Sequence, residues 1–303
     1  MTQPTYAPDL VEEAVLLAEP TAPAASAQAF RRERDRIYEI VDDDAREASF
    51  RSLHLRWFAR LGLHRVIDQV AHQRVDVADR VNVSRVVRAL TRQDEGADLV
   101  DEATLDAASP TPTLVLRLCP STLLRPDALC TLLHHELTHV ADMLDPAFGY
   151  ERRLPASEDG PSADNILRDR YRVLWDTTID GRLTRVGLAG PTERTARWRE
   201  FASAFAMLGE GCESAFEEWF NRTDPTHAGL VAFALTPPQL ANAGKPGRCP
   251  LCRFPVASLD ARDGGVSPAT EAVIRAAHPA WRIELGLCSQ CLDLYEARQP
   301  SCA

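Results

Sequence analysis

The chain has 303 residues, of which 45% are hydrophobic, and a formal net charge of −10 at pH 7 with a pI near 5.3. This length suits one large domain or two domains with a substantial apolar core. The acidic charge argues against nucleic acid as the main partner. No apolar run reaches the roughly 18 residues of a membrane-spanning helix, and the first residues lack the basic and apolar segments of a signal peptide. The sequence therefore predicts a cytoplasmic protein with no membrane segment.

The first half of the chain is predicted to be mainly helical. Residues 1–28 are rich in Pro, Ala, Thr and Ser, which is typical of a flexible tail, although Leu10 to Leu17 could form a short amphipathic helix. From Ala29 to about His72 apolar residues recur at helical spacing. Gly62 is placed to end one of these helices.

A β-rich stretch follows and leads into a helix. Residues 81–87 contain four valines, residues 93–110 read as an acidic loop or hairpin, and residues 111–118 alternate as in a strand. Pro126 is a favourable first residue for the next helix, and Asp145, which precedes a proline, is expected to end it.

That helix contains the pattern H-E-x-x-H at His135, Glu136 and His139. Residues four apart lie one turn apart on nearly the same face of a helix, so the two imidazoles can hold one metal ion without bending the backbone. Glu136 points about 100° away from His135, too far for an ordinary third ligand. It is well placed to act as a general base toward an activated water.

The order of these elements, with helices first, then a small sheet and then a helix bearing H-E-x-x-H, resembles that of the zincin metallopeptidases. The resemblance is specific at residues 132–142 and architectural elsewhere. It implies an α+β fold, with a mainly helical catalytic domain over residues 29–236 that contains a small sheet. It also implies a catalytic zinc, a peptide or protein substrate, and a sheet edge formed by the strand before the metal helix, here Thr113–Leu118, that pairs with an extended substrate.

A catalytic zinc usually has three protein ligands, and the sequence leaves the third open. In the gluzincin branch a second helix carries E-x-x-x-D, whose first acid binds the metal and whose second acid orients a ligating histidine. Asp176-x-x-x-Asp180 is similar, with aspartate in place of glutamate, and is the preferred pair. An acid that receives the second N–H of a ligating imidazole is a general feature of such sites.

Two other acids compete with this pair. Asp145 would extend the motif as in the metzincins, but Asp142 stands where those proteins have a glycine that lets the chain turn back to the metal. Glu200 lies on a later apolar helix and is favoured by a weaker resemblance to the Mlc titration factor group, which rests on the sequence from His139 to Asp142. Tyr150 and Tyr171 are candidate donors to an oxyanion.

Two C-x-x-C pairs follow a linker rich in proline and glycine. Cys249 with Cys252, and Cys288 with Cys291, can form two knuckles of a tetrahedral zinc site with four cysteine ligands, within a C-terminal zinc-binding module over residues 245–303. Four thiolates leave no open position for water, so this zinc is expected to be structural. An inserted helix over 271–277 would account for the long gap between the pairs.

The sequence thus favours a zinc metallopeptidase with Glu136 as general base and two zinc ions, one catalytic and one structural. Two alternatives stay open. One is a non-catalytic or regulatory metal-bearing protein that binds a protein partner, with the C-terminal module as a docking element. The other is a metal-dependent hydrolase of a non-peptide substrate.

Overall fold

The computed structural model describes residues 4–81, 84–100, 112–156, 160–189, 192–237, 247–256, 259 and 266–298. The fold is mainly helical α+β with a small four-stranded sheet and a C-terminal cysteine cluster, as the sequence predicts. The chain divides into two compact units, Met1–Asp145 and Pro146–Ala303. None of the described helices has the length and apolar composition needed to cross a membrane.

The first unit contains seven helices and four strands among its described residues. The helices are α1 (Pro8–Ala18), α2 (Ala24–Ile37), α3 (Asp43–Arg60), α4 (Arg65–Gln73), α5 (Val75–Ala78), α6 (Pro120–Leu123) and α7 (Pro126–Leu144). The strands are β1 (Thr5–Tyr6), β2 (Ser84–Arg88), β3 (Gly96–Val100) and β4 (Thr113–Leu118).

The sheet has the order β1-β2-β4-β3. β1 and β4 both run parallel to β2, whereas β3 pairs antiparallel with β4, with Ala97 opposite Leu116. β4 is therefore an internal strand, and the expectation that Thr113–Leu118 forms the sheet edge is wrong. The edge strand beside β4 is β3, because part of the segment predicted as a loop or hairpin, residues 93–110, pairs with β4.

The amphipathic helix considered for Leu10 to Leu17 is present as α1, so the flexible tail predicted for residues 1–28 is wrong for the residues described there. Four apolar side chains of α1 are almost completely buried in the core of the first unit: Leu10, Val11, Ala14 and Val15. Their spacing places them on one face of the helix. The composition of this stretch suggested disorder, but burial of that face outweighs the cost of ordering the backbone.

The predicted ends of two helices are confirmed. Gly62 has a φ of 71° after α3, and the amide of Leu63 donates to the carbonyl of Phe58 as in a Schellman motif. α7 ends at Leu144, and Asp145 is extended before Pro146.

The second unit contains six helices among its described residues. These are α8 (Pro161–Arg185), α9 (Glu193–Ala204), α10 (Cys212–Phe220), α11 (His227–Leu235), α12 (Pro268–Ala277) and α13 (Ser289–Glu296). Two short strands, β5 (Gly247–Arg248) and β6 (Pro255–Val256), form a hairpin. The helix expected within the gap between the cysteine pairs is α12. The predicted boundary between residues 236 and 245 lies mainly on residues 238–246, outside the described residues.

The core of this unit is built around α8, whose middle turns are buried on all sides. Gly181 packs directly on α10: a Cβ atom at this position would overlap the carbonyl oxygen of Phe220. Aromatic side chains of α9, α10 and α11 also pack on one another, mainly edge to face. The close approach fixes α10 against the part of α8 that carries Asp180.

Two of the buried histidines, one in each unit, contribute to the acid sensitivity of the fold. Burial lowers the pKa of His54; nearby Glu12 raises it and Arg34 lowers it, both by less. Burial also lowers the pKa of His227, and the smaller effect of Glu151 raises it. Because the unfolded chain binds these protons more readily, we expect the free energy of unfolding to fall as the pH drops below about 6.5. Denaturant titrations at pH 7.5 and 5.5 measure this loss.

His54→Gln should reduce that pH-dependent loss, since it removes one of the titrating groups. His72→Gln is the matched control, because His72 is exposed. An equal pH dependence in wild type and His54→Gln would contradict the assignment.

Candidate metal centres

His135 and His139 lie one turn apart on α7, and both are half-buried. Their ring centroids are 5.1 Å apart. An imidazole nitrogen lies about 1.2 Å from its ring centroid and about 2.0–2.1 Å from a bound zinc, so two histidines that share a tetrahedral zinc have centroids about 5.2 Å apart. The two rings therefore fit one metal ion.

Glu136 is held beside the two histidines by the edge strand. Its Oε2 accepts the backbone N–H of Ala97 at 2.9 Å. An N–H on β3 that points to this carboxylate is not used in pairing with β4, so the outer side of the sheet edge faces Glu136. This contact was not predicted from the sequence, which has no signal for a backbone donor 39 residues away.

Thr138 connects α7 to the junction of α4 and α5. Its hydroxyl donates to the carbonyl of His134 at 2.7 Å and accepts from Arg74 Nη1 at 2.8 Å. Arg74 is itself held by two hydrogen bonds to Asp76. This network anchors the helix turn that carries the motif. His134 is buried, and burial, with a smaller effect of Arg74, lowers its pKa.

The acids proposed as third ligand divide between the two units. Asp145 belongs to the first unit and is exposed at the end of α7. Asp176, Asp180 and Glu200 belong to the second. The first two are buried on α8, one turn apart, whereas the side chain of Glu200 on α9 is 48% exposed.

A single arginine joins the three acids of the second unit. Arg197 Nε donates to Asp180 Oδ2 at 2.7 Å, and its Nη1 donates to Asp176 Oδ2 at 3.0 Å and to Glu200 Oε2 at 2.7 Å. Burial alone would lower the pKa of Arg197, but the carboxylates of Asp176 and Asp180 raise it above its ordinary value. Arg197 therefore fixes the orientation of both buried aspartates. Sequence reasoning missed it, because nothing distinguishes it from neighbouring arginines on α9.

The two tyrosines considered as oxyanion donors lie in an aromatic cluster of the second unit. The hydroxyl of Tyr171 is 2.8 Å from Nδ1 of His227. The ring of Tyr150 packs on His227 and Trp175. The Tyr171 hydroxyl thus has a buried partner that the sequence did not suggest.

The four cysteines of the two C-x-x-C pairs meet in one buried cluster. The Sγ atoms of Cys249 and Cys291 are 3.9 Å apart, and those of Cys252 and Cys288 are 3.8 Å apart. With Zn–S bonds of about 2.3 Å, the edge of a tetrahedral tetrathiolate site is about 3.8 Å. A disulfide requires about 2.05 Å, so the spacing suits a shared metal ion and not a disulfide.

The backbone around the cluster also has the form of two knuckles. Amide N–H groups of Cys288 and Cys291 donate to the sulfurs of Cys249 and Cys288, each at 3.4 Å. Arg253, directly after the first pair, has a φ of 59°, and its N–H donates to the carbonyl of Cys249 at 2.7 Å. This turn brings the two sulfurs of the first pair to the same side of the chain.

The protonation of the four thiols is linked. Hydrogen bonds with the other thiols, Cys252 foremost, lower the pKa of Cys249. Hydrogen bonds with Cys249 foremost raise the pKa values of Cys288 and Cys291. A divalent cation that bound all four sulfurs would displace the protons they carry.

Two sets of side chains in the described residues can thus take part in binding a metal ion: His135 with His139, and the four clustered cysteines. Of the remaining cysteines, Cys119, Cys130 and Cys212 are free thiols outside this cluster, and Cys302 lies outside the described residues. A comparison of the chain with protein-family models, with curated proteins and with solved structures found no match.

Proposed function

We propose that this protein is a zinc-dependent metallopeptidase. The observation that carries the proposal is the arrangement on α7, where two half-buried imidazoles stand at the separation of a shared zinc with the carboxylate of Glu136 beside them. Histidines with only a packing role in the core would be fully buried, and they would not require a neighbouring carboxylate that is hydrogen-bonded to the sheet edge.

In this proposal each residue of the motif has one task. His135 and His139 hold the zinc, which when bound polarises the scissile carbonyl and makes water more acidic. Glu136 takes a proton from the attacking water and passes it to the leaving amine. The N–H of Ala97 keeps the Glu136 carboxylate in place while it exchanges this proton.

We propose Asp176 as the third ligand and Asp180 as the acid that orients a ligating imidazole, following the order of the two acids in the gluzincin motif. Both carboxylates are buried and are held by Arg197 through one oxygen each. A rigid carboxylate is a better ligand than a mobile one because less conformational freedom is lost on binding. The exposed Glu200 lacks this burial.

The sheet edge suggests how an extended peptide would bind. The outer side of β3 faces Glu136, which already accepts the N–H of Ala97, so a peptide that pairs with this edge through the carbonyl oxygens of β3 would carry its backbone past the general base. Backbone hydrogen bonds of this kind hold a substrate with little dependence on its side chains. We therefore assign to β3 the substrate-pairing role that the sequence had suggested for β4.

At the cysteine cluster we propose a second, structural zinc. All four sulfurs are buried and close enough to bind one metal ion together, which would leave no position open to substrate or water.

Chelator-sensitive cleavage of a random peptide library tests the proposed activity. We expect purified protein to cleave unstructured peptides, the cleavage to stop with a zinc chelator, and activity to return when zinc is added back. His139→Gln should be inactive under all conditions. Cleavage that persists in the chelator, or no cleavage with both zinc ions bound, would contradict the proposal, and the latter result would favour a metal-bearing binding protein.

The third ligand can be identified from zinc content. We expect two zinc ions per chain in wild type and one in Asp176→Ala, because a catalytic zinc left with two histidines binds far more weakly. Asp180→Ala should retain two but with about 10- to 100-fold weaker affinity at the catalytic site, as for other residues that orient a ligand. Glu200→Ala is the control and should match wild type. The reverse pattern for the two aspartates would exchange their roles.

A further inference from the structure

Arg170, on α8, is a buried arginine without a carboxylate partner among the described residues. Its side chain is 1% exposed. Nε donates to the carbonyl of Ala204 at 3.2 Å, Nη2 donates to the side-chain oxygen of Gln290 at 3.4 Å, and Nη1 has no hydrogen-bond partner in the part of the chain that is described. A buried charge is strongly unfavourable unless an opposite charge compensates it.

The surroundings of Arg170 point to the cysteine cluster as that compensation. Its guanidinium lies 4.4 Å over the ring of Phe254, two residues beyond Cys252. Its partner Gln290 lies between Cys288 and Cys291. Arg170 thus contacts one residue just beyond the first knuckle and one residue within the second. Ala163, on the same helix, also packs in the apolar core around the sulfurs.

We propose that Arg170 is the fixed countercharge of a tetrathiolate metal site, so that metal binding at the four cysteines and burial of this arginine depend on each other. A divalent cation with four thiolates has a net charge of −2, whereas four thiols are neutral. The arginine therefore has an opposite charge beside it when four thiolates hold the metal. This inference rests on the metal proposed at the cysteine cluster and does not depend on peptidase activity.

The first test is zinc affinity at the cysteine site, measured by competition with a chromogenic chelator. Arg170→Met keeps much of the side-chain length and removes the charge. We expect it to weaken zinc binding by about 10- to 100-fold, the usual range for residues that support metal ligands. Arg170→Lys should recover part of the loss, since it restores the charge without the planar fork. Arg168→Met is the matched control, two residues earlier on α8 and exposed, and should bind zinc like wild type.

The second test separates a charge effect from simple damage to the fold. Arg170→Met should lower the denaturation midpoint of the zinc-loaded protein but not that of the zinc-stripped protein, because only the loaded cluster is anionic. A variant with wild-type zinc affinity, or with equal loss of stability in both forms, would overturn the inference. A wild-type protein whose cysteines bind no zinc would also overturn it. Neither measurement depends on peptide hydrolysis, so a failure of this inference can be told apart from a failure of the proposed peptidase function.

Discussion

Glu136→Gln should lower kcat/KM for peptide cleavage by about 10²- to 10⁴-fold, the range for loss of a general base. Glutamine has nearly the same shape, and its carbonyl oxygen can still accept the N–H of Ala97, so the helix and the sheet edge should remain in place. It cannot take up a proton from water. The loss should therefore appear in kcat rather than in substrate binding.

The zinc content of Glu136→Gln shows whether a loss of activity comes from the missing general base or from a disrupted metal site. Because neither histidine is altered, Glu136→Gln should retain two zinc ions per chain. Asp127→Asn, which removes an exposed carboxylate in the first turn of the same helix, is the control and should retain full activity. If Glu136→Gln kept both its zinc and its activity, Glu136 would not be the general base.

Cys291→Ser should have the largest effect on stability. A structural zinc contributes about 10–16 kcal/mol of apparent binding free energy at pH 7, so loss of one of four thiolates should remove about a quarter of it, roughly 3–4 kcal/mol. This corresponds to a zinc affinity about 10²- to 10³-fold weaker. Metal analysis after dialysis against a chelator, together with thermal unfolding, measures both effects.

Cys212 provides the matched control for this substitution. It is also a buried cysteine of the second unit, but it lies outside the cluster. Cys212→Ser should lose some stability through burial of a hydroxyl and should keep both zinc ions. If Cys291→Ser also kept both, the four sulfurs would not form a metal site.

The parts of the site that depend on local sequence were predictable. The histidine spacing on α7 and the end of that helix at Asp145 each follow from residues that are close in the chain, and so does each C-x-x-C knuckle. The structure places His135 and His139 side by side and brings the four cysteines together, as expected.

Features that depend on tertiary packing were missed or predicted wrongly. The composition of residues 1–28 suggested a tail in which Leu10 to Leu17 could form a helix, and the core of the first unit shows that this helix is buried on one face. Strand order cannot be read from β4 alone, because the partner on its outer side is a less apolar strand, β3. Arg197 and Arg170 resemble surface arginines in the sequence, and only their three-dimensional partners reveal their roles.

The contact between Gly181 and the Phe220 carbonyl sets a limit on how this protein can be redesigned. Elsewhere in the second unit one apolar side chain can be exchanged for another of similar volume, and the neighbours can adjust. At residue 181 the main chains of α8 and α10 are in contact, so backbone atoms set the spacing of the two helices. A side-chain substitution cannot make these atoms smaller. A library of variants of the second unit would therefore do best to leave that crossing unchanged.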